Sequence, residues 1–143
     1  MPALSLKTRR LRARGLNIRQ AKLLGNRYFW GIGNRATLTT ALTGTNNDLT
    51  FLARTPGTAG NDITVAYVVA GASTPLTVDV STDNITVNVA TDGSSVEIST
   101  AKQVKDAVNA DAEASLLVWA QDAPASDGTG NVTALSALHM DGA

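Results

Sequence analysis

The chain has no cysteine, a single histidine and six aromatic residues among its 143 positions. The missing thiols exclude disulfides and thiolate metal sites. With His139 the sole imidazole, no zinc ligand set of the Cys/His kind can be assembled. General-base catalysis by His139 would need a nucleophile and an orienting carboxylate, and its neighbours Met140 and Asp141 form no such motif. A calcium loop of the D-x-D-x-D-G type is also missing. Asp79 and Asp83 flank a turn, as do Asp111 and Glu113, so these carboxylates are expected to form turns and solvate the surface. Gly57-Thr58-Ala59-Gly60-Asn61-Asp62 lacks the Gly-Lys-Ser/Thr ending of a phosphate loop and precedes a strand pattern, which predicts a plain connector. The expectation is no enzyme, no cofactor and no metal.

Long apolar runs are missing too. None approaches the roughly 20 residues that span a bilayer. No apolar stretch of about 7–15 residues follows the basic N-terminus, so neither a secretory signal nor a membrane partner is expected.

The absence that says most is local. Residues 1–36 contain no Asp or Glu, yet hold Lys7, Arg9, Arg10, Arg12, Arg14, Arg19, Lys22, Arg27 and Arg35. All twelve acidic residues lie from Asp48 to Asp141, against Arg54, Lys102 and Lys105. Nine basic and no acidic residues give the first stretch +9, and three basic against twelve acidic give the rest −9. A zero net charge thus conceals a charge dipole, the mark of an interaction tail.

Two regions follow from this split: a basic N-terminal arm, 1–36, and a strand-rich domain, 37–143. Gly15, Gly25, Gly31 and Gly33 interrupt the arm, leaving room for at most a short helix near Ile18–Leu24. Its leucines, with Tyr28, Phe29 and Trp30, are too apolar for a purely solvated tail. An arm of this kind is expected to order against a partner. Arg9, Arg10, Arg12, Arg14 and Arg19 would supply charge-assisted contacts, and Tyr28, Phe29 and Trp30 the buried anchors. Arginines on phosphates and rings on bases would be the nucleic-acid version of the same chemistry. The acidic body would be repelled by DNA, which favours a protein partner.

Beyond Ala36 the texture becomes alternating Thr and aliphatic residues. Leu49, Phe51 and Ala53 are spaced by two, as are Ile63 to Val69, Leu76 to Val80, and Ile85 to Val89. This period predicts half-buried strands, and 76–89 reads as a hairpin with Ser81–Asn84 at its tip. A helix capped by Ser99 or Thr100 carries Ala101, Val104, Ala107 and Val108 on one stripe and ends near Asn109-Ala110. Leu116-Leu117-Val118 then reads as a buried strand leading to Trp119. A turn at Asp127-Gly128-Thr129-Gly130 leads to a last strand, Val132 to Leu138. The order β-β-β-β-α-β-β predicts an α+β domain, a small, mainly antiparallel sheet with one packed helix.

The strings NNDLTFLARTPGTAGNDITVAYV and TPLTVDVSTDNITVNVATDGSSVEISTAKQVKDAVNADAEASLLV, with the closing Asp127–Gly130 turn, resemble a β-rich module recurrent in tailed-bacteriophage virion proteins. It covers roughly residues 44–140 and leaves the arm outside. The resemblance implies a virion structural protein of head decoration (cement) or head-fibre type, and its motifs are packing and turn motifs. On that footing the chain is expected on the capsid surface, after synthesis in the host cytoplasm. Its expected partners are the major capsid protein or other virion subunits, including copies of itself. A packaging protein that binds nucleic acid through the arm, and a tail or head-fibre component, are the alternatives.

Overall fold

The computed structural model describes residues 33–143, and Arg9, Arg10, Arg12, Arg14, Arg19, Tyr28, Phe29 and Trp30 lie outside them. Seven strands and two helices follow in the order β1 (Thr37–Thr39), β2 (Leu49–Ala53), β3 (Thr64–Val68), β4 (Thr77–Ser81), β5 (Asn84–Asn88), α1 (Ala101–Ala110), α2 (Ala114–Leu117), β6 (Val118–Asp122) and β7 (Leu135–His139). A 3-10 turn over Thr58–Asp62 joins β2 to β3. The α+β class expected from the pattern is the class observed.

The strands form two sheets rather than one. An antiparallel sheet has the order β1-β2-β6, and a second has the order β4-β5-β3-β7. The β4–β5 hairpin forms at its expected place, with Ser81 opposite Asn84. It folds so that β5, not β4, lies against β3, which makes β3 and β5 parallel. That register sets Val65 beside Ile85 and Tyr67 beside Val87, so the four core side chains of these strands fall on one face. The hairpin turn places Thr82 at φ +57°, a region costly for a β-branched residue. Replacing Thr82→Asn is expected to stabilise the fold by about 0.5–1 kcal/mol in chemical denaturation, since Asn tolerates this backbone far better.

Alternation accounts for the core. Leu49, Phe51 and Ala53 of β2 are buried, while Thr50 and Leu52 are half-exposed. Val65, Tyr67, Ile85, Val87, Val89 and Val118 belong to the same apolar centre. Each fully buried aliphatic or Phe side chain contributes roughly 1.5–3 kcal/mol by removal from water. The Tyr67 hydroxyl is carried into this core without a side-chain or backbone partner, and burial, then the nearby charge of Asp48, pushes its pKa up.

Helix α1 begins with a capping box: the Thr100 hydroxyl accepts from Gln103 N at 3.3 Å, and Gln103 Oε1 accepts from Thr100 N at 2.9 Å. Its Ala101, Val104 and Val108 are buried, and the helix packs on β6. Lys105 Nζ reaches Asp122 Oδ2 at 2.6 Å, the one ion pair among the described residues.

Three segments differ from the sequence pattern. The short β1, Thr37–Thr39, pairs with β2 although three residues give too little alternation to read. Leu116 and Leu117 close the single-turn helix α2 and do not belong to a strand, which starts at Val118. The last strand starts at Leu135, three residues after Val132, because 131–134 bond elsewhere. There Val132 N donates to Ser99 O at 2.9 Å, Asn131 Nδ2 to Glu97 O at 3.1 Å, and Ala134 N to Glu97 Oε1 at 3.3 Å.

Candidate functional site

The compact unit runs from Asn34 to Ala143. Its first residues are fastened firmly. Asn34 O accepts from Gly57 N and Ala36 O from Ala53 N, both at 2.9 Å. The Arg35 guanidinium donates to Ala53 O and Arg54 O. Ala36 is fully buried, with its methyl so near Gly60 that a Cβ there would approach it to 3.0 Å.

The α2–β6 stretch, joined to these first residues through Arg54, exposes two large apolar side chains. Leu116 on α2 is 74 % exposed, and Trp119 on β6 is 46 % exposed. The Arg54 guanidinium lies 4.8 Å from the centre of the Trp119 ring, a cation–π contact. Arg54 also donates from its backbone N to Leu117 O at 2.8 Å and from Nε to Ser115 O at 3.2 Å. An open groove of about 130 Å³ lies beside Leu116, lined also by Thr55, Ala59, Ile63, Asp83 and Leu117.

Sequence periodicity misses this surface for an identifiable reason. Three consecutive apolar residues, 116–118, look like a buried strand, whereas the helical turn points Leu116 outward. Strand alternation then buries Val118 and Ala120 and exposes Trp119. The signal available in the sequence was Trp119 itself, placed between two small or branched core positions.

The carboxylates act mainly as turn fasteners. Asp92 Oδ1 accepts from Ser94 N at 2.8 Å and Val96 N at 2.9 Å, and Asp127 Oδ1 from the Thr129 hydroxyl at 2.6 Å and Thr129 N at 3.0 Å. Bonds to the ionised form hold both below the ordinary carboxylate range: for Asp92 the amides of Val96 and Ser94, for Asp127 the hydroxyl and amide of Thr129. Asp111 and Asp48 accept from backbone N–H groups in the same way. His139 is exposed, with Nδ1 3.3 Å from Asn61 O. Among the described residues no three His, Cys, Asp or Glu side chains cluster to hold a metal ion. No described helix is long and apolar enough to cross a membrane.

The unit 34–143 holds twelve acidic residues against Arg35, Arg54, Lys102 and Lys105, a net charge of −8. The single Lys105–Asp122 pair leaves most of that charge without a counter-charge inside the described residues. No protein-family model, curated protein or solved structure matches this chain.

Proposed function

We propose that the protein is a structural component of a tailed-bacteriophage virion, a head decoration protein that holds to the particle through its N-terminal arm. The observation that carries this reading is the charge partition. Eight basic and no acidic residues lie in 1–33, and a unit of net charge −8 follows. The resemblance of 44–140 to phage virion modules supplies the setting. No catalytic constellation is needed for such a role. It works by area and repetition, because many copies on a symmetric shell tie neighbouring subunits together.

The energetics require more than charge. Ordering an arm costs roughly 1–2 kcal/mol of backbone entropy per residue. Surface ion pairs return roughly 0–1 kcal/mol each and cannot offset that over some 30 residues. Apolar side chains of the arm must therefore be buried on the partner. Arg9, Arg10, Arg12, Arg14 and Arg19 would set orientation and encounter rate, and Tyr28, Phe29 and Trp30 would hold the contact.

The test is a chain that starts at Asn34, offered to particles stripped of this protein. It should keep the cooperative melt of the full chain, since the core residues lie between Ala36 and Met140, and should lose particle binding. Replacing Arg9, Arg10, Arg12 and Arg14 together by Ser should weaken binding most at low salt. Decoration by the shortened chain at full level would place the binding surface on the body instead. Tight binding to DNA that falls steeply with salt would favour the packaging alternative.

A further inference from the structure

An exposed leucine alone needs no explanation. Leu116 is different because it lines a groove with Ile63 and Leu117, and Trp119, also exposed, follows three residues later on β6; apolar side chains exposed this close together mark an interaction site. We infer that this groove is the acceptor of a head-to-tail contact between copies of this chain: it takes the Tyr28-Phe29-Trp30 segment of a second copy.

Charge identifies the occupant. Asp83 lines the groove, and Asp62 and Glu113 belong to the turns that supply Ala59 and Leu116. Arg54, beside it, is already engaged with Ser115 O and the Trp119 ring. The groove thus suits an apolar side chain flanked by positive charge. The same chain offers that combination in the 32 residues outside the described structure, with eight basic groups, no acid, and three consecutive aromatics next to the domain. Segment and groove are different surfaces, so the contact is heterologous. Each bound pair still has one free segment and one free groove, and propagation along a surface follows. The inference rests on the proposed role of the arm and names a neighbouring copy as the surface that buries its aromatics, leaving the arginines to the shell, and purified protein alone should display that contact.

Sedimentation of the full-length protein over a wide concentration range tests the contact. The wild type should associate in a concentration-dependent manner that weakens with added salt. Trp30→Ala and Leu116→Lys should each weaken self-association at least about tenfold while keeping the wild-type melting curve. Leu116 is a safe position for folding because it is mostly solvent-exposed; if the lysine variant nevertheless melts early, Leu116→Ser replaces it. The decisive arm mixes the two variants in equal amounts. One still has its aromatic segment and the other its groove, so the mixture should form a 1:1 dimer that neither forms alone and that cannot grow further. A wild type that stays monomeric, a Leu116 variant that associates like the wild type, or a mixture that fails to pair overturns the inference.

Discussion

Gly130→Ala is expected to destabilise the domain by about 3 kcal/mol or more, lowering the melting temperature by well over 10 °C. A Cβ at this position would collide with Thr45 O and lie 3.0 Å from Asn46 C and 3.1 Å from Asn47 Cβ. Two of these are backbone atoms that cannot rotate away. The surrounding hydrogen bonds prevent a simple retreat: Gly130 N donates to Asn46 O and Gly130 O accepts from Ala101 N, each at 2.9 Å. Asn47 Nδ2 adds bonds to Thr43 O at 2.9 Å and Asn131 O at 3.0 Å. Displacing Gly130 therefore disturbs both the 43–47 loop and the first turn of α1. Gly93→Ala is the control, since its Cβ would meet nothing nearer than Ser73 Oγ at 3.9 Å, and thermal melts should place it within about 0.5 kcal/mol of the wild type. Equal stability of the two variants would show that the 43–47 loop yields without cost.

Gly130 also shows where sequence reading stops. Asp127-Gly128-Thr129-Gly130 is legible as a turn from composition, and the strands around Phe51, Val65, Val78 and Val87 are legible from their period of two. The helix at 101–110 could be placed because its cap and its apolar stripe agree. These are local signals. Which glycine is indispensable depends on Thr45, 85 positions away, and no periodicity reports that. The parallel β3–β5 pair is hidden for the same reason: alternation gives the buried face of each strand but not its neighbour. For the candidate site, the arm's charge and aromatics are visible in the sequence, since counting suffices. The Leu116–Trp119 surface is hidden, because it exists only once a helical turn and a strand meet at Leu117-Val118.

The second large effect is expected at Asn109. Strand β6 is the edge of its sheet, and at Ala120 its outer side meets the carboxamide of Asn109. Asn109 Nδ2 donates to Ala120 O at 2.8 Å, and Asn109 Oδ1 accepts from Ala120 N at 2.9 Å. One side chain thus copies the peptide group of an absent neighbouring strand and closes the edge where it is buried, Ala120 being 1 % exposed. Asn109→Ala leaves a donor and an acceptor unpaired, at about 1–3 kcal/mol each. The better helix propensity of alanine returns only about 0.5 kcal/mol. A net loss of roughly 2–4 kcal/mol in urea or guanidinium unfolding is the expected result, against no more than about 0.5 kcal/mol for Asp106→Ala on the exposed side of the same helix. Asn109→Asp separates the hydrogen bonds from mere packing. The carboxylate still accepts from Ala120 N but turns a second oxygen toward Ala120 O, so the ionised form is disfavoured and the folded-state pKa rises. The native state then binds the proton more tightly than the unfolded chain. The deficit of the Asp variant should be full at neutral pH and shrink as pH falls through that raised pKa, where the protonated carboxyl can donate again. An alanine deficit that does not change with pH, beside an aspartate deficit that does, would identify the carboxamide bonds as the cause; a deficit below about 0.5 kcal/mol in both would show that the edge is closed by other means.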